Sequence, residues 1–552
     1  MSFARPRPPL DQHIAYTASN ATHITANILP HTSEAGDAYY IGDVYEQKPS
    51  ACAQEWEIDT SHMPYLSYLK SISSRWPHLR YLADWMEVTT APVKWKFLKD
   101  VDRAERASRT RIAMLDFPRG KKVSRTDISD AASLAALLED RHVDHDHVEA
   151  RLFVVEDLSR DVVELLGARF GIDPLFFRGH ISDYLWYNTR DPWVELPDLD
   201  VVSRDRPYSH IRYVQPRYFK SPESHKQALC DAGSFNVLRR LDNDRNHKTI
   251  FDEEGTSVAL IRSKSSFWIR PNKAYESGVL GVLLVDPTVT EGYPLWSGYR
   301  NFDPTPGMED KSSSFEGPPR TSIFDDVLYW TQRLPNEDGV AFAAQPQTLV
   351  YRMLQLVCAE WLTLCRYVGA RLVQIEWELE NPDFRRDPSS IDASLRKLHP
   401  WRRSVPQYRS MLADTIDKLF RETSDKNTDE GLQDLQRDFE IVHKDIASLQ
   451  DRIERIVLVA TAIVSIEESR RAFGQNKNLT RLTYLAVVFV PLSFVSSFFS
   501  MTNDLGSLGQ TFWVYFAVAI PLSFIALGVA DFLHIKLLFK RLKAHLASAK
   551  GK

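Results

Sequence analysis

Apolar residues recur at alternating steps of three and four from Leu432 to Ile463: Leu432, Leu435, Phe439, Val442, Ile446, Leu449, Ile453, Ile456, Ala460 and Ile463. A period of about 3.5 residues held over that distance marks the seam of a supercoiled helix, either in a multi-helix stalk or in a plain coiled-coil dimer. The run Ile456 to Ile466 (IVLVATAIVSI) is apolar on nearly every side, which favours a stalk with several neighbours, and it is too short to cross a bilayer. No proline falls between Leu432 and Val490. The pattern therefore predicts one helix from about Glu430 to Ser500, roughly 105 Å long at about 1.5 Å per residue. Gly474 and the polar stretch Gln475 to Asn478 are its weak point.

Two longer apolar runs follow. Leu482 to Ser500 (LTYLAVVFVPLSFVSSFFS) has 19 residues without a charge, and Thr511 to Ala530 (TFWVYFAVAIPLSFIALGVA) has 20. Each is long enough to cross about 30 Å of hydrocarbon as a helix. Arg470, Arg471, Lys477 and Arg481 precede the first run, and Lys536, Lys540, Arg541 and Lys543 follow the second. The loop Met501 to Gln510 carries no Lys or Arg and a single acid, Asp504. The positive-inside tendency then predicts an integral membrane protein with both termini cytoplasmic. Two helices enclose no lumen, so conduction requires an oligomer. Ser493, Ser496, Ser497 and Ser500 share one face of the first run. Those hydroxyls suit contact with hydrated cations, and equally suit close helix packing with bonds to preceding carbonyls.

Upstream the pattern is mixed. Short β-branched and aromatic runs at Arg151–Val155, His210–Val214, Ser257–Arg262, Phe267–Arg270 and Val279–Val285 predict strands. Helical spacing predicts helices at Asp127–Glu139, Ser159–Phe170, Pro346–Leu379 and Ile391–Phe420, with Pro400 and Pro406 kinking or breaking the last. The fold class expected is an α+β cytoplasmic domain, a long helical stalk and two C-terminal transmembrane helices. The divisions are a loosely ordered 1–84, an α/β domain over 85–300, a linker over 301–345, cytoplasmic helices over 346–427, the stalk over 428–481, spans at 482–500 and 511–533 around the outward loop 501–510, and a basic tail over 534–552.

Composition qualifies this picture only slightly. Hydrophobic residues at 43%, aromatics at 11% and charged residues at 26% are ordinary for a globular chain, which makes disorder and a many-span transporter unsuitable readings. A net charge of -5, from 68 basic and 73 acidic side chains, offers no basic excess for a nucleic-acid partner. The four cysteines, Cys52, Cys230, Cys358 and Cys365, form no Cys-x-x-Cys pair and read as reduced thiols; Cys358 and Cys365 fall on one helix face and are expected to be buried. The N-terminus has no apolar core of a secretory signal.

Candidate chemistry outside the apolar runs is sparse. His142, His145 and His147, with Asp144, Asp146 and Glu149 among them, could ligate a transition metal. An extended segment points successive side chains to opposite sides, which favours a solvated polar loop instead. Phosphate-binding, nucleophile-elbow and zinc-protease motifs are absent, so no enzymatic activity is expected and no cofactor is required.

Three segments carry a resemblance. Asn476–Met501 (NKNLTRLTYLAVVFVPLSFVSSFFSM, with Pro491 central), Val154–Ile181 (VVEDLSRDVVELLGARFGIDPLFFRGHI) and Leu398–Leu412 (LHPWRRSVPQYRSML) are similar to the CorA family of divalent-cation transporters, in its fungal CorA-like branch. The resemblance covers roughly Trp85 to Lys543. It implies a funnel-shaped homopentamer in a lipid bilayer, passing divalent metal ions, Mg²⁺ first, towards the cytoplasm; a plasma membrane is expected ahead of an organelle membrane. Alignment on Pro491 implies a pore lined by Leu479 and Leu482, then Val490, then Ser493 and Ser497. The family's Gly-Met-Asn signature corresponds to Ser500, Met501 and Thr502, with Asn503 one residue late and Asp504 after it; these five form the expected outer mouth. The altered signature leaves two further readings, a CorA-like sensor or scaffold without conduction, and a zinc-transporting variant. Regulation by intracellular Mg²⁺, also implied, would draw on stalk carboxylates such as Asp434, Asp438, Asp445 and Asp451, though each taken singly reads better as part of a solvated helix face.

Overall fold

The computed structural model describes residues 60–73, 75–76, 79–88, 100–118, 120–139, 148–181, 199–203, 205–239, 241–244, 253–271, 278–298, 300–302, 308, 317–334, 342, 345–380, 388–420, 430–500 and 513–528. The chain divides into two compact units, Met1–Arg386 with Asp392–Arg455, and Asp387–Ile391 with Ile456–Lys552.

The first unit is organised by an eight-stranded sheet in the order β2-β1-β3-β7-β6-β4-β8, with β5 paired to β6. Its strands are β1 Arg111–Pro118, β2 Ser124–Ile128, β3 Val148–Glu156, β4 Tyr208–Phe219, β5 Leu241–Asp244, β6 Ser257–Pro271, β7 Val279–Val285 and β8 Tyr293–Pro294. β3 and β7 run parallel, and the other described pairs run antiparallel. The principal helices are α1 Pro64–Ser73, α2 Arg80–Val88, α3 Asp100–Ser108, α4 Ala131–Glu139, α5 Arg160–Phe170, α6 Pro174–Ile181, α7 Pro222–Ala232, α8 Ile323–Thr331, α9 Tyr351–Glu380, α10 Pro388–Leu419 and α11 Glu430–Phe499. Residues 513–528 form a further helix, α12, in the second unit.

Strand alternation sends Ile112, Met114, Phe153, Val155, Leu280, Val282 and Leu284 to one side, where they share a core with Leu66 and Leu69 of α1, Trp85 of α2, Leu166 of α5 and Phe176 of α6. The opposite side receives the turn before α9. A Cβ on Gly281 would stand 2.6 Å from Leu349 Cδ2 and 2.9 Å from Leu152 Cδ1, so glycine permits that close approach. Both faces of β7 are therefore buried, which is why it reads as a continuous apolar run.

Several expectations change. Within 1–84, expected to be loosely ordered, α1 contributes buried Tyr65, Leu66 and Leu69 to the core. The Glu164 carboxylate accepts from the Tyr65 and Leu66 backbone N–H groups at 2.6 and 2.9 Å, closing the start of α1 with two charge-assisted bonds from 98 and 99 residues away. The helix expected from Asp127 starts at Ala131, because Asp130 accepts from the Ser133 N–H at 2.7 Å and residues 124–128 pair as β2. The two strands predicted at Ser257–Arg262 and Phe267–Arg270 are one strand. Its polar middle is buried but satisfied: Ser263 Oγ donates to Gln215 at 2.9 Å, and Lys264 Nζ donates to the Gly179 carbonyl at 2.6 Å. β1, with Arg111 and Asp116 in it, lies outside the predicted strands. In the expected linker, α8 buries Phe324, Val327, Leu328 and Trp330.

Pro400 and Pro406 do not break α10, which runs for 32 residues through both. An interior proline costs about 3 kcal/mol. Burial of Leu398, Trp401, Val405, Tyr408, Met411 and Leu412 along this helix outweighs that cost, since a full burial of each such side chain contributes about 1.5–3 kcal/mol. The predicted stalk helix is present as α11, 70 residues long, and Gly474 lies inside it without interrupting it.

Candidate pore face

In the first unit the seam of α11 is covered by the chain itself. Leu432, Leu435, Phe439, Val442, Ile446 and Ile453 are buried, and Phe439 packs its ring 5.6 Å from that of Phe420 at the end of α10. A Cβ on Gly369 of α9 would meet Leu449 at 3.8 Å. Arg402 of α10 pairs with Glu454 at 2.9 Å, and Arg409 donates to Gln450 at 3.3 Å. The 3.5-residue repeat thus serves a three-helix packing within one chain over this part. Cys358 and Cys365, on the inner face of α9, are buried free thiols, and burial pushes both up to about 12. Of the stalk acids, Asp438 is raised by partial burial and then by Asp434, which lies 3.8 Å from Arg437.

The second unit contains the described part of the expected pore. At about 100° per residue, Leu479, Leu482, Val490, Ser493, Ser497 and Ser500 fall within an arc of about 80° on α11, and Val495 lies about 180° from its centre. Exposure extends beyond the arc, to Leu485, Phe494 and Phe498, and burial marks its far side at one residue. Leu479, Leu482 and Val490 are 59%, 65% and 66% exposed, Ser493, Ser497 and Ser500 are exposed, and Val495 is buried. The far side of α11 meets α12: the Tyr515 hydroxyl donates to the Leu492 carbonyl at 3.2 Å. On α12, Ala519 and Ser523 are buried, spaced i and i+4, with Ser523 Oγ donating to the Ala519 carbonyl at 2.8 Å. Small residues at that spacing let two helix backbones approach closely.

Ser493 Oγ donates to the Phe489 carbonyl at 2.8 Å, as Thr483 does to Leu479 at 2.9 Å. Each hydroxyl thereby saturates its donor on its own helix and leaves its lone pairs outward. A row of oxygen acceptors can then accept from the water shell of a hydrated cation, which suits Mg²⁺ because that ion sheds water reluctantly. Met501, Thr502, Asn503 and Asp504 of the expected mouth, and His142, His145 and His147, lie outside the described residues. Among the described residues no group of three or more His, Cys, Asp or Glu is placed to hold a metal. Among them, too, no helix is long and apolar enough to cross a membrane.

Sequence reading missed the buried charges at the heart of the sheet. Asp286, after β7, accepts from Arg239 Nε at 2.7 Å, from Arg239 Nη2 at 2.9 Å and from the Lys264 N–H at 2.7 Å. His180 is fully buried beside Arg239 and Lys264, and burial first, then those cations, hold it well below its usual range. No motif announces these groups, because their partners come from four separate segments.

No curated protein matches the chain. Among solved structures, the complete structure of the CorA magnesium transporter from Methanocaldococcus jannaschii is similar at 13% identity and a TM-score of 0.35, covering 76% of this chain and 96% of that one. The soluble domain of CorA from the same organism is similar at 11% identity and a TM-score of 0.28, covering 64% and 95%. Residues 336–536 match the family described as CorA-like Mg2+ transporter protein, a family of transporters rather than enzymes. Across that segment, which holds α9, α10, α11 and α12, the chain is similar to the CorA-like Mg²⁺ transporter family.

Proposed function

We propose that the chain assembles as a homopentameric channel passing divalent metal cations, Mg²⁺ foremost, towards the cytoplasm. The observation that carries this reading is the division of α11 into a stripe of Leu479, Leu482, Val490, Ser493, Ser497 and Ser500 on one side and the α12 contact on the other. Five such stripes around an axis make a path that starts with apolar rings and ends in hydroxyls. The match of residues 336–536 to a transporter family supports it.

The same reading places 482–500 and 511–533 across a bilayer, with both termini cytoplasmic, in a plasma membrane. Large apolar side chains support this placement: Leu485, Phe489, Phe494, Phe498, Trp513, Phe524 and Ile525 are all exposed on these helices. At about 25 cal/mol per Å² of apolar surface, that exposure is costly in water and favourable in lipid. Asp504 would then ring the outer mouth in five copies and concentrate cations there.

Ser500-Met501-Thr502 in place of Gly-Met-Asn favours a second reading, a membrane-anchored sensor or scaffold that no longer conducts. Flux through the full chain reconstituted in liposomes separates the two. Dye-reported Mg²⁺ entry that falls when Thr502 or Asn503 is replaced by Ala supports the channel; a folded pentamer without Mg²⁺, Co²⁺, Ni²⁺ or Zn²⁺ flux supports the scaffold. Competition among these ions identifies a zinc-carrying variant.

A further inference from the structure

The parallel pair β3–β7 of the first unit ends at a cavity of about 490 Å³. Crevices beyond the carboxyl ends of parallel strands are habitual ligand sites, and small-molecule pockets measure about 300–1,000 Å³. The wall contains four guanidinium groups, Arg109, Arg111, Arg217 and Arg320, against three carboxyl groups, Glu156, Asp157 and Asp325. Burial raises Asp157 to about 7, which weakens the negative side further.

Arg217, on β4, decides the character of this cavity. It is only 8% exposed, yet its contacts are neutral: Nε donates to the Glu291 carbonyl at 2.5 Å, and Nη2 donates to the Thr290 and Gly292 carbonyls at 3.3 and 3.0 Å. Among the described residues no carboxylate hydrogen-bonds to it, and the Glu291 carboxylate is engaged by Ser224 Oγ at 3.0 Å. Burial pulls Arg217 down to about 10, with Glu360 and Glu291 acting on it only through space. A buried cation held by carbonyls alone lacks the compensation that buried charges ordinarily have. The backbone turn fixes this guanidinium at the wall of an open space.

The remaining lining suits one class of occupant. Arg111 donates to Glu156 at 3.0 Å and to Asp325 at 3.1 Å, and Arg109 pairs with Asp231 at 3.0 Å, so both rim cations are oriented before any ligand arrives. Thr321 and Ser322 bring hydroxyls and the start of α8 to the same wall, while Phe235, Pro287, Tyr293 and Pro294 supply apolar surface. Guanidinium forks match the oxygens of a phosphate bidentately, and an anion at this wall would supply the charged partner that Arg217 lacks among its hydrogen bonds. We propose that this cavity binds a small phosphate-bearing anion, free or carried by a nucleoside, with Arg217 as its buried partner and Arg109 and Arg111 at the rim. The aromatic and proline wall gives a nucleoside somewhere to rest.

Isothermal titration of the full chain in detergent micelles, in Mg²⁺-free buffer, with ATP, ADP, inorganic phosphate and adenosine tests this assignment without reference to transport. Saturable binding of phosphate compounds is expected, weakened by about tenfold or more in Arg217→Gln and several-fold in Arg109→Gln, with adenosine silent. ATP binding above phosphate identifies a nucleotide site; equal binding identifies a phosphate site. If Arg217→Gln does not fold, Arg217→Lys and Arg109→Gln, with unchanged circular dichroism, decide the matter. No saturable binding of any phosphate compound at millimolar concentration, undiminished binding in the folded variants, or adenosine binding as tight as ATP would overturn the proposal.

Discussion

Glu376 of α9 and Arg452 of α11 form a two-pronged ion pair, with Arg452 Nε donating to Glu376 Oε1 at 2.7 Å and Nη2 to Oε2. The pair joins helices 76 residues apart in sequence and raises the Arg452 pKa, chiefly through that hydrogen bond. Both side chains remain about a third exposed, so solvent screens them. A double-mutant cycle of Glu376→Gln and Arg452→Gln, read from thermal melts of the full chain, should give a coupling of about 1 kcal/mol or less. A coupling of several kcal/mol would mean that the pair is far more shielded than this geometry allows.

Phe439 is the deepest point of the covered seam. It is 0% exposed and packs against Phe420. Phe439→Ala should destabilise the full chain by about 3–5 kcal/mol in chemical unfolding. Unchanged stability would show that the seam is not covered by its own chain there.

Stability should depend on pH through Asp157. Burial raises this carboxyl to about 7, while N–H bonds from Val237 and Asn236 oppose the rise. The unfolded chain loses the same proton near pH 3.9, at the ordinary aspartate value of about 3.9. Between about pH 4 and about pH 7 the folded state binds more protons than the unfolded one, so this group makes stability fall as pH rises and then level off. Asp157→Asn should flatten that part of the slope in urea midpoints measured across the window. An identical slope in the variant would remove Asp157 as its source.

The pore face predicts unequal effects along α11. Ser493→Phe should reduce cation flux by about tenfold or more while leaving the oligomer intact, since a bulky apolar ring narrows and dries a hydroxyl-lined path. Val495→Ser, on the side that faces α12, should act on assembly or folding instead. Equal flux in wild type and Ser493→Phe liposomes would take the stripe out of the ion path.

Beyond the covered seam, Leu458, Val459, Ile466 and Phe473 are exposed on α11. In a pentamer these side chains would meet neighbouring subunits. Leu458→Asp and Phe473→Asp should shift the native mass towards smaller species, and an unaltered pentamer in both would place the subunit contacts elsewhere.

Legibility followed the range of the interactions. The extent of α11 was readable because a helix repeats its own period, and the seam from Leu432 to Ile453 writes that period in consecutive turns. β3 and β7 were readable because continuous apolar runs mark strands buried on both faces. α1 was not, since its order depends on Glu164, almost a hundred residues away. β1 was not, because Asp116 interrupts its apolar pattern and Arg111 opens it, and these charges find Arg151, Glu156 and Asp325 only in the folded chain. The joined strand β6 hides behind four polar residues that only tertiary partners make tolerable.

The candidate pore shows the same boundary. The stripe from Leu479 to Ser500 follows from helical spacing, so sequence alone determined which residues share a face and that two charge-free runs follow the stalk. Which face turns towards α12 depends on contacts such as Tyr515 to Leu492, and only the folded structure decided it. The cavity at Arg217 belongs wholly to the tertiary level: its lining comes from segments scattered between Arg109 and Asp325, and local periodicity carries no record of charges that meet only when strands are laid side by side.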